Sequence, residues 1–475
     1  MKNIIHIVGL IVMCTSIDAT TIRSTTNFPT TASHYQSEFI AEDPKSTMET
    51  ETNGCEVDLD FSSMGLSIIG RNFISGLNIK SLALRNNSIR NFEANTFDSL
   101  PNLEHLDISN NLISKENLFS FGSVPSLKSL VLDNNFDLES LDYISSYSDE
   151  CSHYEYYRRS YGCTSRYSAF EINVEFPEVT HLSLRNIFMT SISNYWSSKF
   201  PKVMTLDVSN NRLSSLDDFF RKLPSTVENL TMENVQFTSL KIESLNNIII
   251  LNLNLNNFET LSSSYCYEKT LCLRNVDKLE ALLVAGCSIK RIETDAFKDL
   301  QKLTYLDISN NSLSEIPNGV FEYLLHSLVY LDISGNSLVR MPKISALEKL
   351  KTLKLNKMRD GFLLTDLEEM QPMPSIQSIS LQDNAISYIP DLFFTKLQGL
   401  REIDLSNNRL ITLPSGSWQT SLKKINLSQN RIANIEDLQL DQATSLEVLD
   451  LENNNITGIK LSAVQRLPST VFLKV

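Results

Sequence analysis

A nine-residue stretch, LEHLDISNN at Leu103 to Asn111, returns as VMTLDVSNN from Val203, LTYLDISNN from Leu303 and LREIDLSNN from Leu400. The shared pattern is L-x-x-L-x-L-x-x-N. Its first apolar position falls at Ile79, Leu103, Leu127, Val179, Val203, Val227, Ile248, Leu279, Leu303, Leu328, Leu350, Ile376, Leu400, Leu422 and Leu446. Seven of the fourteen spacings are 24 residues and five more lie between 21 and 26. A fixed period of this length marks a stacked repeat, and it overrides the several domains that 475 residues would otherwise suggest.

Side chains alternate within L-x-L, so the leucines face inward and the intervening residues outward. Strands of successive repeats then pair in parallel, about 4.8 Å apart. The rest of each repeat returns on the far side, where Phe97, Phe297, Phe321 and Phe394 are placed to fill the back of the core. That return is wider than the strand, so the stack curves with the strands inside. The Asn that closes the pattern can both donate to and accept from buried turn backbone. Asn87, Asn111, Asn135, Asn211, Asn256, Asn311, Asn336, Asn384, Asn408, Asn430 and Asn454 form this ladder. The expected fold is an α/β repeat solenoid, a curved horseshoe. It has a parallel β-sheet on its concave face and a mostly irregular or short-helical convex side. About fifteen repeats occupy 79–475, behind a capping strand within 55–78 where Leu59 and Phe61 alternate inward.

These residues resemble the 24-residue extracellular class of leucine-rich repeat proteins, over about 57–470. The resemblance implies an arc that binds other macromolecules on its concave face or flank. The chain departs from the class at both ends. Only Cys55 stands where a cysteine cluster usually caps the first repeat, and no cysteine cap closes the other end. There RLPST (466–470) repeats the KLPST that precedes Val227, so the sequence stops at the first strand of a further repeat. Truncation, cover by a partner, or a minimal cap each account for that stop. In broad plan the chain is similar to the secreted leucine-rich immune proteins of mosquitoes that lack a coiled coil.

Residues 1–19 read as a secretory signal. Lys2 supplies the charge and Ile4 to Met13 the apolar run, too short to span roughly 30 Å of bilayer as a helix. Residues 20–54, rich in Thr, Ser and acids, bury too little to offset their ordering entropy and are expected to be disordered. Five N-x-S/T sequons follow, at Asn86, Asn229, Asn310, Asn426 and Asn455. The net charge of −14 argues against a nucleic-acid partner, and no stretch after the signal is long and apolar enough to span a membrane.

Two spacings break the period, 52 residues from Leu127 to Val179 and 31 from Ile248 to Leu279. The insertions fall at 139–175 and 260–276, and each encloses a cysteine pair that could close a loop: Cys151 with Cys163, Cys266 with Cys272. The first holds seven tyrosines and interleaved arginines. Tyr154, Tyr156, Tyr157, Arg158, Arg159, Tyr161 and Arg166 are candidates for partner contact, because Tyr and Arg bring large amphipathic area and several donors. A self-packed loop or a degenerate repeat is the plainer reading of the same stretch. Tyr305 and Tyr330, at equivalent outward positions, form a second candidate contact pair, and Ala281, Leu283 and Ala285 a less polar patch beside the second insertion. Cys287 occupies a ladder position and reads as a buried thiol, which leaves Cys55 available for an intermolecular bridge. Asp107, Asp207, Asp307, Asp332, Asp404 and Asp450 read as a solvated L-D-x-S stripe.

No nucleophile elbow, zinc helix or phosphate loop is present, and the acids fall on an open face, where nothing shifts their pKa. No cofactor, metal or catalytic residue is expected. The expected role is a secreted recognition protein, in innate immunity by the resemblance, that binds an extracellular protein or glycan. The alternatives are a matrix or adhesion protein, self-associating edge to edge or through Cys55, and a receptor ectodomain whose anchor lies elsewhere.

Overall fold

A computed structural model describes residues 57–71, 73–74, 78–135, 172–242, 245–344, 346–358, 362 and 372–475. Seventeen short parallel strands, from Val57–Asp60 to Phe472–Lys474, pair in chain order to form the concave sheet. The expected solenoid is thus the observed fold. The register aligns the inward residue of every turn, Leu106 beside Leu130 and Leu130 beside Leu182. These side chains are almost fully buried, and each such burial contributes roughly 2 kcal/mol. Val57 and Leu59 of the first strand, and Phe61 just after it, pack half-buried on the same core.

The ladder explains why the pattern ends in Asn. Asn311 Oδ1 accepts from the backbone N–H of Cys287 and Ile289, each at 2.9 Å. Its Nδ2 donates to the carbonyls of Val284 and Ile308 at 2.9 and 3.0 Å. One side chain therefore satisfies four backbone groups in two turns that no strand or helix reaches. Ile187, Val235, Cys287 and Met358 interrupt the series. Cys287 is fully buried, its thiol donating to the Leu253 carbonyl at 3.1 Å.

The residue just before each ladder position has a positive φ in all fifteen turns. Nine are Asn, which tolerates this conformation. Several of these also bond along the rim: Asn134 Nδ2 donates to Asn110 Oδ1 at 3.0 Å, and Asn186 Nδ2 to Asn134 Oδ1 at 2.9 Å. This outer row edges the concave sheet.

On the convex side Phe97, Phe297, Phe321 and Phe394 are buried as expected. They belong to longer aromatic stacks: Phe297 lies parallel to Phe321 at 6.0 Å, and Phe394 to Trp418 at 3.7 Å. Helices are short. The helix Leu216–Lys222 has its N-cap Ser215 accepting from Asp218, acids in its first turn and bases in its last.

The two insertions behave differently. The strands Ser129–Val131 and His181–Ser183 pair directly, so the long first insertion leaves the concave sheet unbroken. The second holds a strand where a loop was expected. Thr270–Leu273, buried along its whole length, sits between Leu240–Ile242 and Thr260–Ser262 in a four-stranded flank sheet that ends at Arg291–Ile292. On the concave face the same two turns are immediate neighbours through Asn229–Thr231 and Ile250–Asn252. An extra strand on one side only sets the flank strands of those turns roughly 10 Å apart, against about 5 Å on the other, so the turns splay. The sequence reading missed this because Leu271, Cys272 and Leu273 stand outside the repeat frame.

Candidate recognition surface

Most of the concave face is polar and tied together across strands. Arg185 meets Asp207 at 2.7 Å and Glu233 at 3.2 Å, Lys128 meets Glu104 at 2.9 Å, and Lys474 meets Asp450 at 3.0 Å. The aspartates of the L-D-x-S stripe also have a local task that the solvated reading lacked. Asp107, Asp207, Asp307, Asp332 and Asp404 each accept at 2.9 Å from the backbone N–H two residues on, which fixes the exit from the strand.

The polar surface is interrupted over four adjacent turns. Ile250, Ala281, Tyr305 and Tyr330 stand side by side in register. Ile250 is exposed, and the others are half-buried. Leu283 and Ala285 adjoin them, the patch expected from the sequence. The two tyrosine rings are stacked, and the Lys354 ammonium lies 5.3 Å from the centre of the Tyr330 ring. Below them, burial and the neighbouring Asp332 push the Asp307 carboxyl up, against the hydrogen bonds from Ser309 and the charge of Lys354. Burial likewise raises both phenols. An apolar, aromatic centre inside a charged surround is the composition of a protein-contact hot spot.

Tyr154, Tyr156, Tyr157, Arg158, Arg159, Tyr161 and Arg166, with Cys151 and Cys163, lie outside the described residues, as do Cys55 and segments 1–19 and 20–54. Cys266 and Cys272 form a bonded pair with Cα atoms 5.3 Å apart. The sequons divide by position. Asn86, Asn310 and Asn455 are exposed, the first two on the rim, whereas Asn229 and Asn426 are half-buried within concave strands. Among the described residues no three His, Cys, Asp or Glu side chains gather as a metal site, and no helix is long and apolar enough to cross a membrane.

Sequence reasoning missed two features. Tyr265 and Tyr267, either side of Cys266, are 59% and 72% exposed, with ring centres 6.2 Å apart. Their loop is held by Arg274, which donates to the Ser263 and Ser264 carbonyls, and by the Lys269–Glu259 ion pair at 2.6 Å. The second feature is Leu255, which stands on the rim where nine of the fifteen turns carry Asn. Aligning the repeats by their ladder position exposes that exchange.

Residues 77–136, 277–338, 374–419 and 420–475 match the family model described as leucine rich repeat. By its repeats and its fold the chain is a leucine-rich repeat protein. It is similar to the transforming growth factor beta activator LRRC33 of Danio rerio, 26% identical over 51% of this chain and 32% of that one. It is also similar to osteomodulin of Rattus norvegicus, 26% identical over 48% of this chain and 51% of that one. The chain thus spans about half or less of the length of these curated relatives. Among solved structures, that of a TLR13–ssRNA13 complex superposes with a TM-score of 0.58 at 20% identity, covering 83% of this chain and 59% of that one. A leucine-rich repeat protein of Leptospira interrogans gives 0.54 at 19%, covering 88% and 95%. At these identities the structures speak for the fold alone.

Proposed function

We propose that this chain is a secreted recognition protein that binds a protein partner through its concave face. The observation that carries the reading is the stacked Tyr305–Tyr330 pair with Ile250, Ala281 and Leu283, an apolar centre on a sheet whose other outward residues are mostly polar. Stiff aromatic side chains give contact area at low entropic cost, and surrounding polar groups exclude water from the centre. The signal-like first nineteen residues and the sequons support export. One relative is named as an activator of transforming growth factor beta, a protein, which favours a protein partner over a glycan. Innate immunity is the setting that the sequence resemblance implies. The Tyr/Arg stretch of the first insertion would extend the contact.

Affinity capture from extracellular fluid with the intact chain, followed by titration of each retained partner, tests this. Tyr305→Ala with Tyr330→Ala is expected to weaken the partner roughly tenfold or more. A partner bound equally well by that variant and by one replacing Tyr154, Tyr157, Arg158 and Arg159 would sink the reading.

A further inference from the structure

Fifteen residues occupy the rim, one per turn, all with left-handed backbone. Fourteen are Asn, Asp, Gly, Gln or Lys. The fifteenth is Leu255, at φ +59 and 59% exposed. A leucine there is doubly unfavourable for the fold. Its Cβ crowds the backbone in this conformation, and its exposed side chain returns little burial. The backbone cost is shared by Lys357, Asp383 and Gln429, but an exposed apolar side chain on this row occurs only at Leu255 among the fifteen, which points to a use outside folding. The neighbouring turn makes room for it. Its rim residue is Gly286, where an added Cβ would lie 2.9 Å from Leu255 Cδ2.

Leu255 does not stand alone. Along the same turn the chain exposes Ile250 on the concave face, Leu255 on the rim, and then Tyr265 and Tyr267 on the flank. Acids adjoin this strip. The half-buried Glu228 and the exposed Glu280 stand just before the two neighbouring strands, on either side of Ile249, their backbones bonded to it at 2.7 and 2.8 Å.

We infer that Leu255 anchors a protein-docking strip that runs from Ile250 over the rim to the tyrosine pair at Cys266. Its partner is a protein segment that offers apolar side chains edged by Lys or Arg. Large side chains in the segment cover Leu255 and the tyrosines, and its cations meet Glu228 and Glu280. This inference rests on the reading that the chain binds a protein, and it adds the anchor and the partner's chemistry.

The test uses the full chain and a phage-displayed random-peptide library as the probe. Leu255→Asn installs the residue that other turns already use, so the variant is expected to melt no lower than the parent. Enriched peptides are expected to combine Leu, Phe or Trp with Lys or Arg, and to bind Leu255→Asn roughly tenfold or more weakly. A paired Tyr265→Ser, Tyr267→Ser variant is expected to weaken them as well. Peptides that bind both variants as well as the parent overturn the strip; if the same peptides lose affinity for Tyr305→Ala with Tyr330→Ala, concave recognition stands without it. Acid-rich peptides, or no enrichment, overturn the partner chemistry. A concentration-dependent dimer in sedimentation that Leu255→Asn abolishes overturns the foreign partner in favour of a second copy.

Discussion

The rings of Tyr305 and Tyr330, 25 residues apart in sequence, lie 4.1 Å apart between centres and within 4° of parallel. Adjacent strands in register place them so, at the outward positions expected, and the stack is half-buried. A double-mutant cycle of Tyr305→Ala and Tyr330→Ala, read by chemical denaturation, is expected to give a coupling of about 0.5–1.5 kcal/mol. Additive single effects would show that the rings touch without stabilising the sheet.

Asp307 tests the electrostatics of the same site. Its carboxyl is raised from its ordinary value, first by burial and then by Asp332, so the folded state holds the proton more tightly than the unfolded chain. Stability is therefore fullest below the unfolded pKa and falls as pH rises through the folded one. Asn can replace it without losing the strand-exit bond. Asn252 and Asn426 already make that bond, accepting from Asn254 and Ser428 at 3.1 Å. Asp307→Asn is expected to melt higher than the parent at neutral pH, with the gap closing as pH falls toward the ordinary carboxyl range. A lower melting point at neutral pH would contradict this.

Asn311→Ala removes five hydrogen bonds to backbone, among them those from the Cys287 and Ile289 N–H groups, whereas the Ile308 carbonyl keeps its bond from Asn336 Nδ2. The expected cost is about 2–4 kcal/mol. Because each turn contacts mainly its neighbours, the loss is expected to stay local. Hydrogen exchange at Cys287 and Ile289 is the direct measurement, and unchanged protection at those amides would count against the ladder's role.

Leu271→Ala separates a strand from a loop. A surface loop tolerates the truncation within a few tenths of a kcal/mol, whereas the fully buried Leu271 is expected to cost about 2–4 kcal/mol.

The Cys287 thiol is pushed up to about 12, chiefly by burial, so it holds its proton at neutral pH. Iodoacetamide mapping by mass spectrometry is expected to leave Cys287 unlabelled in the native protein and label it in denaturant. Native labelling would place it on the surface.

The period of the leucines, the ladder asparagines and the phenylalanines of the convex core were all legible in the sequence. Each turn meets its neighbours through equivalent positions, so a spacing along the chain is already a contact in space. The Tyr305–Tyr330 pair was legible for the same reason. What only the tertiary structure decided lies where that equivalence fails. Thr270–Leu273 has no counterpart in the other repeats, and its place between two flank strands depends on turns that enter from both sides. Aligning the repeats marks Leu255 as an exchange, but its left-handed backbone and exposed side chain come from the fold. The strands are set by local alternation and the period, whereas exposure and strain are set by how neighbouring turns close on one another.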